Sequence, residues 1–413
     1  MRSPVSASSR GRRLRAGARV LLASLAMLTA AGAQTPPDTS VRIAPVPADR
    51  WTDEQRAIAA QFSAIGMPNA IATYLNHPAL ARAVLPDLRY VTNDSTLPPR
   101  HRALLTLRTA WLARSGYLWA HLAPIARASG MTDDEIRRIA GGPDANGWDA
   151  FDATLLRAAD ELHVDSFISD PTWQALAARY DTNQLIDTID AGANITLHAG
   201  ALNSAGVQLE ADVRDRLPSG IPYAVAARRT NIRLIGKGAR IPPVESTGRG
   251  GRGGGANVFR TFVRHPPADR ARGAVNTHVN SATANTLTPR HRELLLMRIG
   301  VLCRSEYEFA AHARVGKGLG MTDADIARIV AGPDDTGGDS LENTLLRATD
   351  ELFEDDVLSP RTWTALTAAL DTRQVLDVLI SVGGYRSGSM RIYSAGGQLD
   401  ANMEDFRFPP ALR

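Results

Sequence analysis

The chain has 413 residues, 44% hydrophobic and 22% charged, which is the balance of soluble globular protein and suits two ordinary domains, each with its own core. Its one cysteine, Cys303, excludes an intrachain disulfide, so packing has to hold each domain together. The formal charge of +4 is concentrated at the start of the chain.

Arg10, Arg12, Arg13, Arg15 and Arg19 precede an apolar run over residues 20–29, and Ala31-Gly-Ala33 closes the stretch before Gln34. A basic flank, a short apolar core and a small-residue end predict a secretory signal peptide over residues 1–33, too short to stay in a membrane. Twin-arginine export is the less favoured route. Removing the six arginines of this segment takes the formal charge from +4 to −2, so the electrostatic argument for a nucleic-acid partner goes with it. The expected location is periplasmic or secreted, without stable membrane insertion after cleavage.

The rest reads as two copies of one pattern. The first occupies residues 34–210, the second 257–413, and 211–256 links them. Arg42-Ile-Ala-Pro-Val46 matches Arg240-Ile-Pro-Pro-Val244, each opening a copy, and residues 51–65 have helical spacing. The segment from Asn69 to Pro78 matches that from Asn257 to Pro266, a short helix stopped by proline. Residues 100–113 and 290–303 follow as helices, then a second helix ending near Gly130 or Gly320. Thr132 with Glu135, and Thr322 with Asp325, have capping-box spacing and start a third. Further helices cover 155–162 and 345–353. Asp170-Pro171 and Ser359-Pro360 read as cap and first turn, and the last helix of each copy opens at Asp181 or Asp371. No sustained alternation of period two is present, so both copies are predicted all-α. The stretch from Ser246 to Gly255 is Gly/Arg-rich and cannot form a core; it reads as linker rather than as an RNA-binding repeat.

Candidate chemistry lies in the second copy. Ser305, Glu308 and His312 are spaced i, i+3 and i+7, which puts them on one helix face, and Glu293 on the preceding helix can reach His312 across a hairpin. Two carboxylates and an imidazole around one pocket are the minimum set for moving a proton on and off carbon. Competing readings are structural: Ser305 to Glu308 is itself a capping-box spacing, and Glu293 could pair with Arg292 or Arg298. Cys303 reads as a small core residue rather than a nucleophile.

The motifs P-R-x-R-E-L, R-S-x-Y-E-x-A-A-H and G-M-T-D-x-D-I resemble the carboxymuconolactone decarboxylase family and, more distantly, the alkyl hydroperoxidase D family of the same fold. The resemblance covers residues 69–210 and again 257–400. It implies two tandem helical domains of that fold, with no metal or cofactor, assembled as an oligomer, here a trimer of tandem chains. The hydroperoxidase pattern of Glu, Cys-x-x-Cys and His falls on Glu293, Ser305, Glu308 and His312, so both sulfurs are missing and thiol chemistry is disfavoured. The decarboxylase branch implies that His312 is the general acid/base, that Glu293 orients it and that Glu308 tunes it. Arg290 and Arg292 would hold a substrate carboxylate, with Ser305 and Tyr385 also at the substrate and Arg391 on the same closing helix. The expected activity is that of a carbon–carbon lyase acting on a small carboxylate or lactone. Hydroperoxide reduction and non-enzymatic ligand binding by an oligomer are the alternatives. In the first copy Ala103, Leu118 and Leu122 replace Glu293, Glu308 and His312, and His121 is displaced by one position, roughly 100° around the helix. That copy is expected to be catalytically silent.

Overall fold

Five helix starts are locked by the same device. Thr52, Thr132, Asp181, Thr322 and Asp371 each accept the backbone N–H three residues on, and the side chain at that position bonds back to the cap. The computed structural model describes residues 40–223, 228, 238–245, 255–333 and 340–409; the expected signal peptide and residues 246–254 of the Gly/Arg-rich stretch lie outside them. Among the described residues there is no strand.

The first copy runs α1 (Asp53–Phe62), α2 (Pro68–Tyr74), α3 (Pro78–Arg89), α4 (Pro99–Leu112), α5 (Gly116–Ala128), α6 (Asp133–Ile139), α7 (Ala150–Asp165), α8 (Asp170–Ala177) and α9 (Thr182–Ala205). The second lacks a counterpart of α1 among the described residues and otherwise repeats the series: α10 (Asn257–Phe262), α11 (Pro266–Asn280), α12 (Pro289–Leu302), α13 (Glu306–Gly318), α14 (Asp323–Ala331), α15 (Leu341–Glu354), α16 (Pro360–Ala369) and α17 (Thr372–Ala395). The two Arg-Ile leaders do the same work: the backbone N–H groups of Arg42 and Ile43 donate to Ala205, and those of Arg240 and Ile241 to Ala395. Each leader thereby closes the carbonyl end of its copy's last helix.

Two details differ from the sequence reading. Pro78 and Pro266 do not merely stop a short helix; each is the first residue of a longer one, α3 and α11, where a missing N–H costs nothing. At α8 the N-cap is Ser169, not Asp170. Ser169 is held in place because its N–H and hydroxyl both donate to Glu161, each at 2.7 Å.

The larger difference is that the two tandem helical domains share one apolar core, where the sequence reading gave each its own. The described residues form one compact unit, and one continuous apolar core runs through both copies. The 24-residue helices α9 and α17 pack against each other and are buried along most of their length, while α3 packs on α11. Buried polar groups pin this crossing. Asp377 of α17 lies 2.7 Å from His278 Nε2 and 3.3 Å from His77 Nε2 of the other copy, and it accepts the N–H and hydroxyl of Thr286. Its mate Asp187 accepts from Tyr90 at 2.8 Å and from both donors of Thr96, with His265 of the second copy at 3.1 Å.

Candidate active site

Residues that recur in both copies and do the same thing belong to the fold; those present in one copy are candidates for function. Arg298 pairs with Asp350 at 2.6 Å as Arg108 does with Asp160 at 2.6 Å. Arg290 reaches Asp325 and Glu342, each at 2.7 Å, and Arg100 makes the same bridge to Glu135 and Asp152. Arg290 is therefore a clamp between helices and does not line the cavity described below, contrary to its expected role at the substrate. Ser305 is also part of the fold. It N-caps α13, accepting the Glu308 N–H at 3.4 Å; Ser115 holds the same N-cap position of α5 without a side-chain cap bond.

The hairpin of α12 and α13 brings the expected acid–base groups together. Arg304, at φ 56°, makes the turn, and Gly300 lets the helices touch: a Cβ there would stand 3.0 Å from the Phe309 nitrogen. Glu293 Oε2 on α12 lies 2.7 Å from His312 Nδ1 on α13. His312 Nε2 points the other way, 3.7 Å from Glu308 Oε2 one turn earlier. Glu308 does not return a bond to Ser305, so the capping-box reading of its carboxylate fails; it faces a cavity instead. Arg292 stays behind Glu293, with Nε 3.5 Å from its Oε1 and Nη1 donating to Ser281, and it does not line the cavity.

That cavity, about 380 Å3, is walled by Glu308, His312, Tyr385 and three arginines, the buried Arg272 and Arg391 and the exposed Arg314, with Phe259 and Phe262 on its apolar side. The Tyr385 ring meets the His312 ring edge-on with centroids 4.7 Å apart, and its hydroxyl accepts from Asn280 at 2.7 Å. Glu293, Glu308 and His312 are 1%, 7% and 6% exposed, so bulk water screens none of them. Burial pushes the Glu308 carboxyl up to about 7 against the opposing pull of His312 and Arg272. Burial also raises the Tyr385 phenol, which stays protonated. Gly388 supplies the room for Glu308, since a Cβ there would sit 2.8 Å from Glu308 Oε1.

The Carboxymuconolactone decarboxylase family model matches residues 78–161 and again residues 266–351. The chain is a tandem member of the carboxymuconolactone decarboxylase family. No curated protein and no solved structure matches the chain.

Within this family member the polar groups of the cavity belong to the second copy alone. Val84, Ala103, Leu118, Leu122 and Ile195 stand where the second copy has Arg272, Glu293, Glu308, His312 and Tyr385, and all five are buried and apolar. His198, bonded to the Tyr74 hydroxyl at 3.0 Å, fills the place of Gly388. His121 lies outside that position, with Nε2 2.8 Å from Glu210. Burial would raise the Glu210 carboxyl, but bonds from His121, the Asn69 N–H and Tyr117 outweigh it and hold the group down at about 2.

Cys303 is fully buried and burial pushes its thiol up, away from the thiolate that redox chemistry needs. Among the described residues, His77, His278 and Asp377 have donors close enough to share a cation. Their hydrogen bonds account for the same geometry, and in the mirror cluster of His265, Tyr90 and Asp187 a tyrosine replaces one imidazole. Neither cluster borders the cavity of Glu308 and His312.

Arg272 and Asn280 lie on α11, outside the hairpin whose spacing marks Glu293, Glu308 and His312, and the sequence reading does not include them. The signal was there in the duplication: six residues after the first proline of α3 and α11, one copy has Val84 and the other Arg272.

Proposed function

We propose that the second copy is an acid–base site that moves a proton on and off a carbon of a small organic acid or lactone, in the manner of a decarboxylase, using side chains alone. One observation carries this reading: a single imidazole bonds Glu293 through Nδ1 and turns Nε2 toward Glu308 at the wall of a cavity. Glu293, accepting from Nδ1–H, fixes the tautomer in which Nε2 is the free base. Glu308, with its carboxyl at about 7, is part protonated near neutrality and can give a proton back, a larger role than tuning His312.

In a decarboxylation the carbon–carbon bond breaks, its electron pair passes into an adjoining carbonyl or lactone, carbon dioxide leaves, and Glu308 or protonated His312 supplies the proton to carbon. Lactone isomerisation would use the same pair in sequence, Nε2 removing the proton and Glu308 returning it. The test is a screen of the purified protein against lactones and carboxylic acids, following carbon dioxide release and substrate loss, with His312→Ala as control. Turnover that survives His312→Ala removes the proposal. Hydroperoxide reduction is the weaker reading, because Ser305 and Glu308 stand at the thiol positions and Cys303 is inaccessible. It requires Cys303→Ser to abolish peroxide consumption.

Export through residues 1–33 and assembly into trimers complete the proposal. N-terminal sequencing of protein from the extracytoplasmic fraction checks the first, with Gln34 as the expected start. The mass in solution checks the second.

A further inference from the structure

Arg272 of α11 is a large cation in an expensive place. Its side chain is 4% exposed, its Nη2 donates to the Gly384 carbonyl, and its Nε and Nη1 have no partner. Burial lowers its guanidinium pKa, opposed by the field of Asp87. Arg391 of α17 repeats the situation across the cavity. Its Nε lies 2.9 Å from Asp190, its Nη2 has no partner, and its guanidinium stacks on Phe262 at 4.1 Å. The first copy has Val84 and Ala201 at these positions, so neither arginine is needed to build the fold.

Their nearby acids come from the other copy. Asp87 and Asp190 lie on α3 and α9 of the first copy, so the copy without acid–base groups supplies the opposing charge for both cations. A buried guanidinium with unpaired N–H groups is costly unless something planar and anionic completes it. Glu308 feels the field of Arg272 but is not bonded to it: its Oε2 is turned to His312 Nε2 at 3.7 Å and its Oε1 sits against Gly388.

We infer that Arg272, assisted by Arg391, is the anchor for a substrate carboxylate, a role that neither Arg290 nor Arg292 can fill from where they stand. The fork of N–H groups on a guanidinium matches the two oxygens of a carboxylate. The apolar body of the ligand then lies against Phe259, Phe262 and Tyr385, which brings a carbon beyond the carboxylate to His312 Nε2 and Glu308. An anchored carboxylate is stabilised as the anion, so it is a handle and not the group that reacts. The carbon that exchanges its proton carries a different activating group. The placement of the reacting end rests on the acid–base reading above; the anchor does not.

Calorimetric titration of the full chain with benzoate and with benzamide, which has the same shape without the charge, tests the anchor. Benzoate is expected to bind about 10- to 100-fold more tightly than benzamide, the worth of a charge-assisted pair. Arg272→Met removes that preference, Arg272→Lys keeps the charge but loses the fork and most of the preference, and Arg290→Met leaves it intact. Equal affinity for the two probes, no measurable benzoate binding, or a preference undiminished in Arg272→Met overturns the inference. If Arg272→Met does not fold, an undiminished preference in Arg272→Lys does so. His312→Ala separates the two readings: it retains the benzoate preference whatever happens to turnover, whereas surviving turnover would sink the acid–base reading and leave the anchor standing.

Discussion

Glu293 and His312 share a 2.7 Å hydrogen bond between helices α12 and α13, and both are nearly fully buried. The bond fixes which imidazole nitrogen faces the cavity, so its loss is expected to cost more than packing. Glu293→Gln keeps the shape but not the charge, and kcat is expected to fall about 100-fold with a smaller change in KM. Nitrogen NMR of His312 gives a readout that needs no substrate. The proton is expected on Nδ1 in the parent protein, where Glu293 accepts it, and redistributed toward Nε2 in the variant. An unchanged tautomer would remove the orienting role.

Glu308 should make the protein less stable as pH rises. Its carboxyl is raised by burial to about 7 from an ordinary value of 4.5, so the folded chain binds a proton that the unfolded chain has released in between. The stability this contributes is full below about pH 4.5, falls as pH rises through 7 and is then gone, a difference on the order of 3 kcal/mol. Glu308→Gln has nothing to ionise. It is expected to melt higher than the parent at pH 8, with the gain shrinking toward pH 5, while turnover falls. A Tm difference that is flat with pH would show that Glu308 titrates normally.

Gly388 separates the needs of the site from those of the helix. A methyl group there would stand 2.8 Å from Glu308 Oε1, the end of a side chain that can swing away, and alanine favours the helix by about 1 kcal/mol over glycine. Gly388→Ala is therefore expected to fold with an unchanged or slightly higher Tm and to lose activity about tenfold or more as Glu308 leaves His312. A variant that keeps full turnover would mean the position of Glu308 is immaterial.

The helices and the shared face of Glu308 and His312 were legible in the sequence because both depend on short-range spacing, and the α12–α13 hairpin adds Glu293. Caps such as Thr322 with Asp325 act over three residues, and Glu308 and His312 are one turn apart. What was not legible depends on which helices cross. Nothing near His77 announces that its partner is Asp377, 300 residues on, and Asp187 and Asp377 read as ordinary polar positions of long helices. Arg290 and Arg272 mark the same boundary: the first stands out as local charge near a helix start, while only the packing of α11 against α17 puts the second at the cavity. Comparison of the copies would have narrowed the choice, since Arg290 has Arg100 as its equivalent and Arg272 has Val84.

Asp377 tests whether the two copies are one folding unit. It accepts bonds from His278 and Thr286 and lies within 3.3 Å of His77 of the first copy. Burial would raise its carboxyl, but these bonds outweigh burial and hold it below the usual carboxylate range. A depressed group contributes stability above its unfolded value, near 3.8, and that stability is lost as pH falls through the folded value. Asp377→Asn is expected to cost on the order of 3 kcal/mol at pH 7, with the deficit narrowing in acid below about pH 4. Because the core is continuous, calorimetry should show one transition in both parent and variant, moved down as a whole. Two separate transitions, or a melt of the second copy alone, would mean that α9 and α17 do not couple the copies despite their contact.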